Sequence, residues 1–492
     1  MPGPNRSYNL QWGSARVDEL DFDCMGRLGH IPCELGNYAA YSIRVTGADD
    51  VVAGLRFAQE KNIRLSIRNT GHDYNGKSSG LGSLSLWTHH LNTKQIIPRY
   101  HSAGYSGPAI KLGAGVVAGE ALEFASQNGY QVVTGECGTV GISGGYTQGG
   151  GHGPLNGAYG LAADNVLEWE VVTGEGKHVV ATPEKNADIY WALSGGGGGT
   201  YGVVLSMTAK VHPDGPVTGP ILAFHSPAVG NETFWKAIGI FYKHLPDILR
   251  GTNNSAQFNT WNNDFSALFV FLDQSPAAVN TTLGPLLAEL DSIRMPYTLT
   301  VGQTTNFRDY YNSIYGPLPY GLSPPSTSLN SRLIPEWVVV DPNANKKLLD
   351  AVRLTTNTGE FHVACTAADL NKTDHSDNAV LPAWRQSIFA CNMVVFWNWT
   401  APLSDNLERK NRMVSQYAPA MDAATPGSGV YLNEIDPWYK GDFKQTMYGS
   451  NYPRLLNIKH KHDPHHLFYG FHAVGSDEFH IDGSGRLCYG GT

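Results

Sequence analysis

The residues most able to do chemistry lie in two glycine-rich loops. Gly135-Glu-Cys-Gly-Thr-Val-Gly-Ile-Ser-Gly-Gly-Tyr-Thr-Gln-Gly-Gly-Gly-His-Gly153 is dense in glycine and small hydroxyls, with one cysteine, Cys137, and one histidine, His152. Glycine at this frequency marks backbone that takes positive φ or approaches another group closely. Rows of backbone N–H groups then suit an anion such as a pyrophosphate. A second cluster, Ser194-Gly-Gly-Gly-Gly-Gly-Thr-Tyr-Gly202, belongs to the same zone, and two such clusters favour a bound dinucleotide. Two competing patterns carry less. Gly113-Ala-Gly-Val-Val-Ala118 fits the short fingerprint of nicotinamide-binding folds, with Glu136 about 20 residues on. It begins deep inside its domain rather than at a first strand, and reads as coincidence. His460-Lys-His462-Asp-Pro-His465-His466 has no closed zinc spacing and reads as a solvated run leading through a turn to a buried strand; no metal site is expected.

These loops need a scaffold, and the hydrophobic pattern supplies one. Residues 38–212 alternate short β-type runs with helices. Val51–Lys61 and Gly119–Asn128 read as helices, and 63–67, 109–112, 131–133, 166–173 and 203–211 as strands. Residues 213–424 change texture. Strands are expected at 259–271, 332–340, 360–365 and 389–399, and helices at 234–249, 277–292, 346–355 and 406–423. That alternation implies a broad antiparallel sheet covered by helices on one face. From Tyr431 a strand, a turn and a helix lead to a glycine-rich C-terminus. On the strand reading Tyr431 and Asn433 share one face and Glu434 points to the other.

Bulk properties set outer bounds. Charged residues are 16% of the chain, against 11% aromatic and 56 glycines, which fits an ordered, loop-rich enzyme. A net charge of -8 without a basic block argues against nucleic acid as a partner. No apolar run approaches the ~18–20 residues of a membrane span. Met1-Pro2-Gly3-Pro4-Asn5 lacks the basic and apolar regions of a signal peptide. Six acceptor sequons, at Asn5, Asn231, Asn253, Asn280, Asn371 and Asn398, lead to the expectation of a secreted, glycosylated monomer whose signal peptide has been removed. Cys24 and Cys33 are candidates for a disulfide, while Cys365 and Cys391 read as free buried thiols.

One segment sharpens the picture: Arg68-Asn-Thr-Gly-His72-Asp-Tyr-Asn-Gly76, followed by Ser78-Ser79-Gly80. Together with Gly135–Gly153, Tyr159-Gly-Leu-Ala-Ala-Asp-Asn165, the pentaglycine, Tyr431-Leu-Asn433, Tyr448-Gly-Ser-Asn451-Tyr-Pro-Arg454 and Lys459-His-Lys-His-Asp463, it resembles the vanillyl-alcohol-oxidase superfamily of flavoproteins. The branch it is most similar to is the berberine-bridge-enzyme-like oxidases, particularly fungal alcohol and oligosaccharide oxidases. The resemblance implies an α+β fold of two domains: an extension (1–32), an FAD-binding domain of the PCMH type (33–212), a substrate domain with a large antiparallel sheet covered by helices (213–424), and a C-terminal segment returning to the first domain (425–492).

It also implies FAD bonded twice, through the ring 8α methyl to His72 and through ring carbon 6 to Cys137, whose thiolate the surrounding N–H groups would favour. Further cofactor contacts are implied for Arg68, Asn69, Thr70, Gly71, Asp73, Thr139, Val140, Gly141, Ser143, Gly144, Gly145, Gly151, Gly153, Leu161, Asn165, Gly202, Val203 and Asn451. Tyr431 would face the flavin. His152 stands where plant relatives have an aromatic, and its imidazole titrates near neutral pH as an acid, base or anion stabiliser. Tyr74 would line the same pocket.

The departure falls on the strand Phe389-Ala-Cys-Asn392-Met393. Several relatives place a catalytic Glu, Gln or Asp there, after an element like Pro382-Ala-Trp-Arg385. Asn392 or Met393 takes that place here, beside Asn433 in the substrate pocket, so no carboxylate base is expected. The leading function is oxidation of a CH–OH group of a small alcohol, sugar or secondary metabolite, with dioxygen reduced to hydrogen peroxide. Oxidative ring formation, a non-redox cyclase or isomerase, and a secreted flavin-fold binding protein without turnover are the alternatives.

Overall fold

The computed structural model describes residues 35–321, 326–371, 377–483 and 485–490, so the Asn5 sequon, Cys24 and Cys33 lie outside the described residues. The first unit begins with a small parallel sheet. Its order is Tyr41–Arg44, Leu84–Trp87, Leu65–Arg68. The helix Ala48–Lys61 buries Val51, Gly54, Leu55 and Ala58, an i, i+3, i+4, i+7 stripe that packs on this sheet. Gly54 is required there, because a Cβ would run into the Leu86 side chain. A five-stranded antiparallel sheet adjoins, in the order Lys94–Ser102, Tyr105–Gly113, Val203–Lys210, Val166–Val172, His178–Ala181.

The short nicotinamide-type fingerprint sits at the end of an antiparallel strand. A Cβ on Gly113 or Gly115 would collide with the carbonyls of Leu91 and His89, so these glycines serve chain packing.

The second unit is a seven-stranded, wholly antiparallel sheet: Tyr297–Thr304, Val217–His225, Asp264–Leu272, Ser255–Trp261, Phe361–Ala368, Ser387–Phe396, Thr327–Pro335. Alternate residues, among them Phe265, Phe269, Phe361, Val363, Cys391 and Met393, enter one core with the helices Asn231–Leu249, Pro276–Ser292 and Pro342–Thr356. The period of two divides Met393, in that core, from Asn392, which faces the other side. No helix among the described residues is long and apolar enough to cross a membrane.

Several expectations are corrected. Residues 259–271 form a hairpin rather than one strand, because Asn262 takes φ 52° in a tight turn between Trp261 and Asp264. Residues 332–340 change from strand to helix at Pro335, with Glu336–Val340 helical despite its valines because Val338 and Val339 dock into the core. Tyr431–Glu434 is a turn, closed by the Glu434 N–H donating to the Tyr431 carbonyl at 2.9 Å, so alternation fails there. After the helix Tyr452–His462, Leu467 and Phe468 form no strand. Their N–H groups donate to the buried Asp463 carboxylate. His460 and His462 are held by Glu478 and Asp188.

Cys365 and Cys391 are not free thiols. They stand directly opposite on neighbouring strands and form a disulfide that closes a loop of 26 residues. Loop-closure entropy puts its contribution at about 3 kcal/mol. Cys391→Ala, with Cys365→Ala, is expected to lower the unfolding free energy by that order in denaturant titrations, and a reductant is expected to weaken the wild type alone.

Candidate active site

The parallel strand Leu65–Arg68 ends at the loop carrying His72, and the helix Ala118–Gln127 leads to the loop carrying Cys137. Both loops line one cavity of about 410 Å3. His72 Nε2 lies 2.8 Å from Thr139 Oγ1, and Cys137 Sγ lies 3.4 Å from the same atom. Asn69 ties the His72 loop to the end of the strand Tyr105–Gly113, its amide donating to the Ala114 carbonyl at 2.5 Å. Gly141 leaves the room for that amide, since a Cβ there would strike Asn69.

Of the residues expected to hold cofactor or substrate, Asn69, Thr70, Gly71, His72, Asp73, Tyr74, Cys137, Val140, Gly141, Ser143, Gly144, Gly145, His152, Gly202, Tyr431 and Asn433 line this one cavity. The others stand behind it or elsewhere. Thr139 backs His72 and Cys137. The Arg68 guanidinium lies 5.9 Å from the Tyr38 ring. Gly151 and Gly153 pack against Ala162 and the Thr134 carbonyl. Leu161 is core, and the Asn165 amide donates to its carbonyl at 2.9 Å. Val203 is core, and the Asn451 amide donates to the Ala379 and Val380 carbonyls at 3.2 and 3.1 Å. Met393 packs under the sheet, away from the cavity.

A flavin dinucleotide suits this cavity. Asn69 Oδ1, Ser143 Oγ and Gln148 Oε1 belong to cavity-lining residues and are buried without a partner, a set of groups that a polar ligand would satisfy. Gly198 and Gly199 of the pentaglycine complete a wall of small residues. Burial pulls His72 down to about 4, so its imidazole is neutral and nucleophilic at neutral pH. For Cys137 the expectation of a favoured thiolate is corrected: burial pushes the thiol up, outweighing the hydrogen bonds from Thr139 and Val140.

The same cavity holds what the sequence reading missed. His152 Nε2 lies 3.1 Å from both carboxylate oxygens of Glu434, and its Nδ1 lies 4.0 Å from Glu136. The Asn392 amide donates to Glu434 at 2.7 Å. The strand that lacks a carboxylate therefore holds one contributed by the Tyr431–Glu434 turn. Burial alone would lower His152, but Glu434 and then Glu136 outweigh it and carry the imidazole up to about 9. Burial raises Glu136, while His152 and Asn392 overcome the burial of Glu434 and lower it.

Tyr431 is a poor base. Burial and the Glu434 charge push its phenol far above the usual tyrosine range, and its oxygen accepts from the Asn433 amide at 2.7 Å. Its ring packs edge-on to His152 at 5.0 Å and to Trp384 at 5.6 Å. Arg385, next to Trp384, makes a two-pronged ion pair with the buried Asp164 at 2.8 and 2.6 Å, clamping the second unit to the first.

Because folding raises His152 above its unfolded value of 6.5, its contribution to stability is complete below that pH and is lost as pH rises through about 9. By linkage the loss approaches about 3 kcal/mol. Denaturant titrations from pH 6 to 10 are expected to show that decline in the wild type and a flatter profile in His152→Gln.

With the geometry in place, comparison with known proteins is informative. Residues 39–182 match an FAD binding domain and residues 430–475 the berberine and berberine-like family. The bifunctional decalin synthase calF of Penicillium decumbens is 49% identical over 459 residues, covering 93% of this chain and 80% of its own. The VAO-type flavoprotein oxidase VAO615 of Thermothelomyces thermophilus is 46% identical over 458 residues, covering 93% and 79%. A crystal structure of the VAO-type flavoprotein MtVAO615 from Myceliophthora thermophila C1 superposes with a TM-score of 0.90, covering 93% of this chain and 83% of that one. The glycine-walled cavity, the paired His72 and Cys137 and these matches make the chain a member of the berberine-bridge-like, vanillyl-alcohol-oxidase-type family of FAD-linked oxidoreductases.

Proposed function

We propose that the chain is an oxidase that carries FAD bonded to both His72 and Cys137, oxidises a CH–OH group of a small alcohol, sugar or secondary metabolite, and passes the electrons to dioxygen to give hydrogen peroxide. The observation that carries this reading is that His72, Cys137 and the His152–Glu434 pair line one cavity. The bound flavin supplies the hydride acceptor. The protein must take the hydroxyl proton, and His152 is the group placed for it. Glu434 holds one imidazole nitrogen and stabilises the imidazolium that forms, as a carboxylate does behind a catalytic histidine. Asn392 fixes the carboxylate, and Tyr431 with Asn433 orients the substrate. Since the resting imidazole keeps its proton up to about 9, kcat/KM should rise with pH towards that value.

Ring formation without net oxidation is the second reading, supported by the 49% identity to a protein named as a decalin synthase. Product mass separates the two, since oxidation removes two hydrogens and cyclisation or isomerisation removes none. Secretion is also proposed: the Cys365–Cys391 disulfide fits an oxidising compartment, and the sequon asparagines Asn231, Asn253, Asn280, Asn371 and Asn398 are all exposed.

Acid-denatured wild type is expected to keep its yellow colour in the pellet, His72→Ala and Cys137→Ala to keep it through the remaining bond, and the double variant to lose it. Colour leaving the wild-type pellet would end the covalent reading. His152→Gln is expected to slow anaerobic flavin reduction by an active alcohol by about 10²–10⁴-fold. An unchanged rate would remove His152 from the chemistry.

A further inference from the structure

Thr139 stands between the two residues assigned to the cofactor. Its hydroxyl oxygen is 2.8 Å from His72 Nε2 and 3.4 Å from Cys137 Sγ, so one group touches both, although His72 lies 67 residues away in sequence. A hydroxyl has a single proton to donate and lone pairs with which to accept. It therefore serves two partners best when one of them gives and the other receives. Burial keeps the Cys137 thiol protonated and the His72 ring neutral. Two patterns satisfy all three groups, and the one that gives the thiol proton a way out has the thiol donating to Thr139 Oγ1 and the Thr139 hydroxyl donating to His72 Nε2.

We propose that Thr139 is the positioning residue for attachment of the cofactor: it fixes the ring of His72 and the sulfur of Cys137 together, and it offers the path by which the thiol proton leaves as the sulfur–carbon bond forms. The proposal rests on the two-bond reading above.

The chemistry explains why the sulfur bond depends on that path more than the nitrogen bond does. Joining Cys137 Sγ to an aromatic ring carbon breaks the S–H bond and that carbon's C–H bond and forms one S–C bond. Two electrons and two protons are left over and reduce dioxygen to hydrogen peroxide. The sulfur must shed its proton to become a nucleophile, and burial opposes this. Joining a His72 nitrogen to the ring methyl breaks an N–H and one methyl C–H bond, the two electrons and two protons again reducing dioxygen, and the neutral imidazole needs no ionisation first, so His72 needs Thr139 for orientation alone.

Valine has the shape of threonine without the hydroxyl, and serine has the hydroxyl without the methyl, so the two substitutions separate chemistry from packing. The full chain is expressed as wild type, Thr139→Val and Thr139→Ser, and the peptides containing His72 and Cys137 are weighed by mass spectrometry for attached flavin. Thr139→Ser is expected to carry both bonds. Thr139→Val is expected to keep the His72 bond and to show at least a tenfold fall in the modified fraction of Cys137. Full modification of Cys137 in Thr139→Val, or equal losses in the two variants, would overturn the proposal. A wild type with no flavin on Cys137 would instead end the two-bond reading itself. Should Thr139→Val fail to fold, Thr139→Ala against Thr139→Ser gives the same comparison.

Discussion

A half-buried carboxylate organises this molecule. Glu434 comes from the C-terminal segment, and what offsets its removal from water comes from two other parts of the chain: His152 in the glycine loop and Asn392 on the large sheet. Removing one partner of such a buried pair costs about 3–5 kcal/mol, because the remaining charge is left uncompensated. The three segments are therefore stable in their places only when assembled together. Arg385 on Asp164 repeats the pattern nearby, with a buried anion in the first unit met by a cation from the second. Asn75, whose amide donates to the Leu432 carbonyl at 2.9 Å, ties the His72 loop to the same C-terminal turn.

Rigid elements surround these contacts. The strand Ser387–Phe396 places Met393 in the aromatic core and Asn392 towards Glu434, and the Cys365–Cys391 disulfide joins that strand to its neighbour one residue before Asn392. The parallel strand Leu65–Arg68 and its helix hold the start of the His72 loop in the same way. The polar groups lining the cavity sit on loops, while sheet edges and buried ion pairs set where those loops can be.

How much of this was legible in the sequence follows from the same physics. The His72 and Cys137 loops could be read because close backbone approach demands glycine, and glycine is visible. The sheet and its helices could be read from apolar periodicity. Glu434 could not, because a period of two was carried through Tyr431–Glu434, where the backbone turns and brings Glu434 round to His152. The strand carries no carboxylate at Asn392, yet Glu434 stands beside it, since a contact 42 residues away leaves no local pattern. Adjacency to the Tyr431-Leu-Asn433 motif was the signal that could have flagged it. The cross-strand disulfide was missed for a related reason: pairing depends on strand register, which spacing does not reveal.

The central claim is that His152 and Glu434 act as one unit in taking the substrate proton. The direct measurement is a double-variant cycle, His152→Gln, Glu434→Gln and both, read as the rate of anaerobic flavin reduction by stopped-flow absorbance with the same alcohol. The account predicts that the double variant is no slower than the slower single variant, since either change already disables the pair. Losses that simply multiply would contradict it, showing two residues that act independently.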